Sequence, residues 1–284
     1  MKEIANAKIN LALNVIRRRE DGYHELESIM LPLAFGDDII LEECDKDYLT
    51  SNVTTIPLDE RNLAFKALLL MKETYSITKN YHIHIEKHIP SEAGLGGGSS
   101  DAAAVMRLLN KMENLQVDIH ELADLSVKLG ADCPFCVLNK PMFISGIGEK
   151  YESINLTEFP YHVLLVKPSS GVSTKLAYEG LNIAKADHPN CKEIVFKLEN
   201  KDFKKLGIAN SLEESALRIN SDVKEIKAKL ESLGFDYVLM SGSGSSVFAL
   251  TENEQLLEES YDFLKNSYEF VEKSKIIEPN HLNF

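Results

Sequence analysis

The sequence predicts an α+β fold, because segments with strand periodicity and segments with helix periodicity follow one another without a strict β-α-β repeat. Apolar side chains at every second position predict strands over residues 4–15 and 81–89. Apolar spacing of three and four residues predicts a helix over residues 61–74. A second amphipathic helix follows directly after a glycine-rich loop that ends near residue 100.

The remaining predicted elements continue this mixed pattern. The turn residues Asp21 and Gly22 separate the first strand from the next. Further strands are predicted near residues 25–33, 38–43, 161–166, 237–240 and 246–250, and further helices near residues 119–129, 174–184, 212–218 and 222–233. Pro160 precedes an apolar strand, so we predict an N-terminal domain of residues 1–157 and a C-terminal domain of residues 158–284.

Composition limits the partners that this chain can have. Acidic residues outnumber basic ones by 44 to 31, and the formal net charge is −13. Such a chain repels nucleic acid and anionic membranes, and no apolar run reaches the ~18–20 residues that span a bilayer. The four cysteines are too few for a secreted disulfide framework, and the first residues lack the apolar segment of a signal peptide. We therefore expect a cytoplasmic protein, a monomer or homodimer, that binds neither nucleic acid nor membrane.

The strongest motif is the loop Pro90-Ser91-Glu92-Ala93-Gly94-Leu95-Gly96-Gly97-Gly98-Ser99-Ser100, which joins a predicted strand to a predicted helix. Glycines permit positive φ angles and allow a ligand to approach the backbone closely. The first turn of the helix adds N–H donors and the positive end of the helix dipole. Together these features predict a phosphate cradle, whereas a plain turn would need one glycine. The loop lacks the lysine of a Walker A motif and the third glycine of the Rossmann fingerprint.

Two further motifs are weak when taken singly. Asp132, in the segment Gly130–Pro134, fits a helix N-cap or turn residue, or else a functional carboxylate. The segment Met240–Ser246 is rich in serine and glycine, lies between two apolar strands and is longer than a hairpin turn requires.

Two other patterns favour structural over chemical roles. Cys133 and Cys136 have the spacing of metal ligands, but no second pair completes a zinc site, so buried thiols are the favoured interpretation. His82, His84 and His88 lie in or next to one strand with no ligand partners in the pattern, and we interpret them as a polar strand face.

The motifs in this order resemble those of the GHMP family of small-molecule kinases. The resemblance rests on Asn6-Ala7-Lys8-Ile9-Asn10-Leu11, Asp21-Gly22-Tyr23-His24, Gly94–Asp101, Leu129–Pro134, Gly171–Thr174 and Ser241–Gly244. It implies a two-domain fold, with an N-terminal α/β domain of ribosomal-protein type, a C-terminal ferredoxin-like domain and an active site in the cleft between the domains.

Within the family, the resemblance is closest to the branch that phosphorylates the 2-hydroxyl of a CDP-linked methylerythritol in the non-mevalonate route to isoprenoids. It implies ATP as the phosphate donor, with Mg²⁺, and assigns no protein carboxylate to the metal. It also implies a site whose members fall into three groups. The catalytic residues are Lys8 and Asp132; the ATP-binding residues are Asn62, Lys87, Pro90, Gly94, Leu95, Gly96, Gly97, Gly98, Ser99 and Ser100; the substrate-binding residues are Asn10, Tyr23, His24, Thr174, Tyr178, Gly242, Ser243 and Gly244.

The residue chemistry agrees with these implied roles. Aspartate is normally ionised at neutral pH and can accept the proton of a hydroxyl group, so Asp132 fits a general base beside a cationic partner, Lys8. Tyr23 and Tyr178 are able to stack on a cytosine, and His24 is able to bond its edge. Two alternatives stay open at this point: a GHMP kinase for another small alcohol, and a catalytically idle nucleotide-binding regulator that has kept the fold.

Overall fold

Two long strands open the chain in the computed structural model, which describes residues 1–277. β1 is Lys2–Arg18 and β2 is His24–Cys44, and the two strands pair with each other. The predicted turn lies between them, and Gly22 there has a φ of +88°. The two strands expected near residues 25–33 and 38–43 are in fact the single strand β2. Gly36 lies inside it because a Cβ at this position would come within 2.4 Å of the Ala5 carbonyl oxygen, so this glycine marks close strand packing and no turn.

The chain forms two units, each drawn from separated segments. The first unit contains residues 1–7, 36–90 and 96–139, and the second contains residues 8–35, 91–95 and the chain from residue 140 onward. The predicted domain boundary at residue 157 lies inside the second unit of this division, and it stays a prediction about the two domains.

The first unit places a small sheet beside four helices. β3 (Tyr48–Ser51) runs parallel to β4 (Asn80–Glu86), and β4 runs antiparallel to the last part of β2. The helices are α1 (Leu63–Tyr75), α2 (Gly97–Met112), α3 (Ile119–Ser126) and α4 (Cys133–Leu138). α2 is buried on nearly every side between Ser100 and Leu109, so it is the central helix of this unit.

Burial along β4 alternates as its sequence predicts. Tyr81, Ile83 and Ile85 face inward, while His82 and His84 both bond the Thr50 hydroxyl, at 2.7 and 2.9 Å. The histidines thus form the polar face that the sequence predicts for this strand. Helix α3 ends at Ser126, three residues before the predicted end.

The second unit contains a four-stranded antiparallel sheet with the strand order β10-β7-β9-β8. Its strands are β7 (His162–Lys167), β8 (Tyr237–Met240), β9 (Val247–Thr251) and β10 (Phe270–Lys275). Helices separate β7 from β8 and β9 from β10, so the order along the chain and in the sheet is that of a ferredoxin-like fold. The expected α+β class and the ferredoxin-like C-terminal sheet are therefore confirmed.

Five α-helices of the second unit follow β7 in the chain. They are α5 (Thr174–Glu179), α6 (Cys191–Glu199), α7 (Glu213–Ile219), α8 (Ser221–Leu233) and α9 (Glu254–Leu264). The core joins Val223, Ile226 and Leu230 of α8 to Leu164 and Val166 of β7. The same unit holds β5 (Met142–Gly146), which pairs antiparallel with both β2 and β6 (Lys150–Ser153).

The helix expected over residues 174–184 ends five residues early. Gly180 is its C-cap, and a Cβ at Gly180 would lie 2.4 Å from the Ser215 hydroxyl. The chain passes close to α7 at this point and continues as a short 3₁₀ turn at Ile183–Lys185. A tertiary contact therefore ends a helix that the local pattern would have extended.

The buried-thiol interpretation of the cysteines is confirmed. Cys133, Cys136 and Cys191 are buried and reduced, and Cys44 is partly exposed. Burial raises the pKa of the Cys133 thiol to about 11, so this thiol is neutral at physiological pH. Among the helices of residues 1–277, none combines the length and the apolar character that crossing a bilayer requires.

Candidate active site

The glycine-rich loop leads into α2 without a side-chain cap. Gly96 is the N-cap residue, with a φ of +74°, and no side chain accepts a hydrogen bond from the first turn there. Residues 97–100 form that turn, and the Ser100 hydroxyl donates to the Asn6 carbonyl at 2.7 Å. Helix N–H groups without a side-chain acceptor, together with the helix dipole, are suited to bind a phosphate.

Gly97 lies against a wall that leaves no room for a side chain. A Cβ at this position would be 3.1 Å from Ile89 Cγ2 and 3.2 Å from Lys87 Nζ. At Gly98, in contrast, the nearest atom would be Leu63 Cδ1 at 3.6 Å. The positive φ angles expected in the loop occur at Gly94 and Gly96, so Gly97 is needed for close packing and not for its backbone conformation.

Lys87, predicted to bind ATP, is the centre of a buried charge cluster. Its ammonium donates to Asp101 Oδ2 at 3.0 Å and to Asp37 Oδ2. Asp37 also accepts from the backbone N–H groups of His88 and Ile89, at 2.5 and 2.7 Å. The exposed fractions of the Lys87, Asp37 and Asp101 side chains are 8%, 0% and 3%. The cluster therefore fixes the chain after β4 to the first turn of α2.

Burial decides the charge state of this cluster. It raises the pKa of Asp101 to about 8, and the neighbouring Asp37 carboxylate adds to that effect while Lys87 opposes it. Burial alone would lower the pKa of Lys87, but Asp101 and Asp37 outweigh it and raise the pKa. At pH 7 the Asp101 carboxyl group is therefore mostly protonated, and the Lys87 ammonium keeps its charge.

Two other predicted ATP-site residues have structural bonds in the first unit, and a third is partly buried there. Asn62 is the N-cap of α1: its Oδ1 accepts from Ala64 N at 2.9 Å, and its Nδ2 donates to the Pro57 carbonyl at 2.9 Å. Ser99 bonds the Cys133 thiol. Pro90 is partly buried next to the Asp37-bound segment. Their contact with ATP stays a prediction.

Asp132 directly precedes α4 and is partly exposed. It occupies the N-cap position, but its φ and ψ are helical and its carboxylate makes no capping bond to α4. Asp132 thus lies in a turn at the N-cap position without a side-chain cap, and its assignment as the catalytic carboxylate stays a prediction.

Lys8, the other predicted catalytic residue, is buried in the second unit. Its ammonium donates to Asn10 Oδ1 at 2.7 Å, and Asn10 Nδ2 donates to the Ser28 hydroxyl at 2.9 Å. The exposed fractions of Lys8 and Asn10 are 4% and 2%. A strand with alternating apolar residues would place Lys8 and Asn10 on its solvent-facing side. This expectation from the sequence is wrong, because both faces of β1 are covered around residue 9.

The Ser/Gly loop, residues 240–246, lies beside this pair. Ser241 accepts from Asn10 N at 3.3 Å, and its hydroxyl donates to the Gly94 carbonyl at 2.9 Å. A Cβ at Gly242 would lie 3.1 Å from Asn10 Oδ1 and 3.3 Å from Lys8 Nζ. A Cβ at Gly94 would lie 2.1 Å from the Ser241 carbonyl. The structure thus brings together Lys8, Asn10, Gly94 and Gly242, which three separate motifs contribute.

The predicted base-binding residues form a second group in this unit. The rings of His24 and Tyr178 are 4.8 Å apart and tilted by 31°, which is direct contact. Burial, and secondarily Arg18, lowers the pKa of His24, so its ring is neutral at pH 7. Tyr23 is 62% exposed. The Thr174 and Ser243 hydroxyls share a 2.8 Å hydrogen bond. Because the His24 and Tyr178 rings contact each other, a base would stack on the outer side of the His24–Tyr178 pair.

Sequence reasoning missed Asp37 and Ser28 as members of these groups. A usable signal existed for Asp37, since it falls at the same alternate positions as Ile39 and Leu41, and a carboxylate on an apolar strand face is rarely buried without a partner. Ser28 carried no such signal, because an isolated serine in a strand is common on exposed and buried faces alike.

The chain is similar to known proteins over nearly its whole length. The family described as GHMP kinases N terminal domain matches residues 62–140, and the one described as GHMP kinases C terminal matches residues 195–269. A protein of Bacillus licheniformis named 4-diphosphocytidyl-2-C-methyl-D-erythritol kinase is 41% identical, over 99% of each chain. A protein of the same name from Exiguobacterium sibiricum is 38% identical over 98% of each chain.

A solved structure agrees with these relatives. The crystal structure of a 4-(cytidine 5'-diphospho)-2C-methyl-D-erythritol kinase superimposes with a TM-score of 0.83 and 32% identity, covering 97% of this chain and 99% of the other. The resemblance found from the motifs and the expected two-domain kinase fold are both confirmed. This protein belongs to the GHMP kinase family.

Proposed function

We propose that this protein transfers the γ-phosphoryl group of ATP to the 2-hydroxyl of 4-diphosphocytidyl-2-C-methyl-D-erythritol, in the non-mevalonate route to isoprenoid precursors. The observation that carries the proposal is the 41% identity to the Bacillus licheniformis kinase of that name, over 99% of each chain. Identity at this level over two whole chains supports a common acceptor, and the groups around Lys8 and around Tyr178 are suited to it.

ATP binds by its phosphates at residues 94–100. The uncapped first turn of α2 supplies N–H donors, and the absence of side chains at Gly96, Gly97 and Gly98 leaves the backbone accessible. The Lys87 cluster holds the start of α2 in place through Asp101. Mg²⁺ enters with ATP, because it coordinates the phosphate oxygens of the nucleotide.

The cytosine of the acceptor binds at the His24–Tyr178 pair. Stacking on the outer side of the pair uses the face of an aromatic ring. A neutral imidazole has one N–H donor and one acceptor, so His24 can bond one edge of the base. Thr174 and Ser243 add hydroxyl groups in the same unit. This combination suits a pyrimidine nucleotide better than a small aliphatic alcohol.

Asp132 and Lys8 carry the transfer step. The oxygen of the 2-hydroxyl forms a bond to the γ-phosphorus while the bond from that phosphorus to the bridging oxygen of ADP breaks. The hydroxyl proton passes to the Asp132 carboxylate. The Lys8 ammonium, held by Asn10, stabilises negative charge that develops on the reacting oxygens. Phosphoryl transfer depends mainly on such positioning and charge stabilisation.

A substrate panel tests this function. The purified protein is incubated with MgATP and either the CDP-linked methylerythritol, its UDP-linked analogue, homoserine or mevalonate, and ADP release and the ³¹P spectrum of the product are followed. We expect turnover of the CDP compound and poor use of the UDP compound, because uracil reverses the donor and acceptor that cytosine presents. If the protein turns over only another alcohol, that alcohol is the acceptor. If it binds ATP without any turnover, the result favours a nucleotide-binding regulator.

A further inference from the structure

Asn210 lies in a segment that carries no recognised motif, yet it is almost fully buried, with 2% of its surface exposed. Both N–H groups of its side-chain amide donate hydrogen bonds. Nδ2 donates to the carbonyls of Met240 and Gly242, at 2.9 and 2.8 Å, and Oδ1 accepts from Leu212 N at 2.9 Å. These three partners also settle the orientation of the amide, since only its nitrogen can donate.

The backbone around Asn210 is anchored to β1. Leu13 N donates to the Ala209 carbonyl at 3.0 Å, and Ser211 N donates back to the Leu13 carbonyl at 2.9 Å. The Ser211 hydroxyl accepts from Val15 N at 3.0 Å. Asn210 is thereby attached to the strand that carries Lys8 and Asn10, and its side chain reaches from that strand to the Ser/Gly loop.

Glu213 supports the same loop one helical turn further on. Its Oε1 accepts from Met240 N at 2.8 Å, and its Oε2 lies 3.3 Å from Lys227 Nζ. Asn210 and Glu213 together bond both backbone groups of Met240 and the carbonyl of Gly242. The backbone groups of Met240 and the carbonyl of Gly242 are therefore bonded to side chains that lie outside the sheet.

The position of Gly242 gives these bonds a chemical consequence. Gly242 has a φ of +58°, and its Cα is close enough to the Lys8 ammonium that a Cβ would lie 3.3 Å from it. Movement of the Gly242 carbonyl would therefore change the space around Lys8. Because phosphoryl transfer depends on positioning, displacements of about 1 Å can cost on the order of 10²-fold in rate.

We propose that Asn210 is a positioning residue of this kinase: through its bonds to Met240 and Gly242 it holds the Ser/Gly loop against Lys8 and Asn10, and so fixes the site of the acceptor alcohol. The inference deepens the proposed function and rests on it for the identity of the acceptor. It also assigns a role to the segment before α7, which touches neither ATP nor the acceptor through a recognised motif.

Asn210→Asp tests the proposal most directly. The substitution keeps the acceptor for Leu212 N but replaces both donors by a carboxylate facing two carbonyl oxygens. We expect the kcat for the acceptor to fall by at least about tenfold, in line with a misplaced catalytic group, and the KM for ATP to stay within twofold. Lowering the pH protonates the introduced carboxyl group and restores one donor, so the kcat of the variant, relative to wild type, should recover as the pH falls.

Ile226→Ala provides the matched control. Ile226 is fully buried in the core that also contains Met240, and its side chain has no polar group that could hydrogen-bond the Ser/Gly loop. This variant should lose thermal stability at least as strongly as Asn210→Asp but keep wild-type kinetic constants at 25 °C. Equal loss of kcat in the two variants would mean that Asn210 acts only through stability, and the proposal would fall.

Hydrogen exchange separates this inference from the proposed function. In Asn210→Asp, amide exchange should rise selectively in a peptide covering residues 240–246, whichever alcohol the wild-type enzyme phosphorylates. If the wild type uses another acceptor, the kinetic comparison is made with that acceptor. Unchanged exchange in residues 240–246, or unchanged kcat with the true acceptor, would overturn the positioning role whether or not the CDP compound is the substrate.

Discussion

The Lys8 ammonium donates a 2.7 Å hydrogen bond to the side-chain oxygen of Asn10, two residues further along the same strand. Residues at this spacing lie on one face of a strand, so β1 by itself brings the Lys8 and Asn10 side chains together. Asn10 is held in turn by Ser28 and Ser241. The position of the ammonium is thus fixed by a strand, a neighbouring strand and a loop.

Lys8→Met should lower kcat by at least about 10²-fold, because methionine fills the same space but supplies no charge to the transferring phosphoryl group. The affinity for a non-hydrolysable ATP analogue should change little, as measured by calorimetric titration. Lys2→Met, at an exposed lysine of the same strand, is the control. Wild-type turnover by Lys8→Met would remove this residue from the mechanism.

Asp132→Asn should produce a loss of kcat of similar size, at least about 10²-fold, since the amide cannot accept the hydroxyl proton. The fold should be kept, because asparagine has nearly the same size and shape as aspartate. Steady-state kinetics combined with thermal unfolding measure both effects. A variant that loses stability and activity in parallel would indicate a structural carboxylate.

Gly97→Val should weaken ATP binding in a protein that still folds. The new side chain meets Ile89 and Lys87 within about 3 Å and must displace them or the first turn of α2. Gly207→Val is the control, because no atom lies within 4 Å of the Cβ position at Gly207. The φ of Gly207 is +71°, so valine strains the backbone there. Titration with the ATP analogue, after circular dichroism of both variants, is the measurement; unchanged affinity would make the loop a structural turn.

Asp101→Asn should flatten the pH dependence of stability. The pKa of Asp101 is raised from 3.8 to about 8 by burial, so between these values the folded state binds a proton that the unfolded state does not. Its contribution is complete below the unfolded pKa and is lost as the pH rises through about 8. We compare the free energy of unfolding of wild type with that of the variant. Between pH 5 and 8.5 this difference, wild type minus variant, should fall by at least about 1.4 kcal/mol, the equivalent of one pKa unit. Urea unfolding at the two pH values measures it, and a constant difference would refute the protonated carboxyl group.

Tyr178→Ala should raise the KM for the CDP-linked acceptor by about ten- to a hundredfold, since stacking on an aromatic ring contributes about 1–3 kcal/mol per base. Tyr23→Ala should act in the same direction. The KM for ATP should stay within twofold in both variants. Phe196→Ala, which removes an exposed ring of the same unit, is the control, and an ATP defect in either tyrosine variant would mean that this group binds the other nucleotide.

Local sequence patterns predicted those helices and strands in which the buried residues repeat with the period of the element. β8 has its predicted bounds, and α2 and β4 deviate only at their ends. α9 was not predicted, although Asn253 before an acidic first turn was a usable start signal. α6 was also not predicted, although Cys191, Ile194 and Leu198 have helical spacing after the N-cap Asn190. The short strands β3, β5 and β6 depend on the neighbours they pair with.

Residue type and motif order were sufficient to identify the family, the phosphate loop and the candidate catalytic pair. They did not reveal that Lys8 is buried, that Asp37 and Asp101 share Lys87, or that Asn210 bonds the Ser/Gly loop. Each of these contacts joins distant parts of the chain or depends on what covers a strand face. Burial also sets the protonation of Asp101, because the solvation of a carboxylate depends on all of its neighbours in space and not on the residues beside it in the sequence.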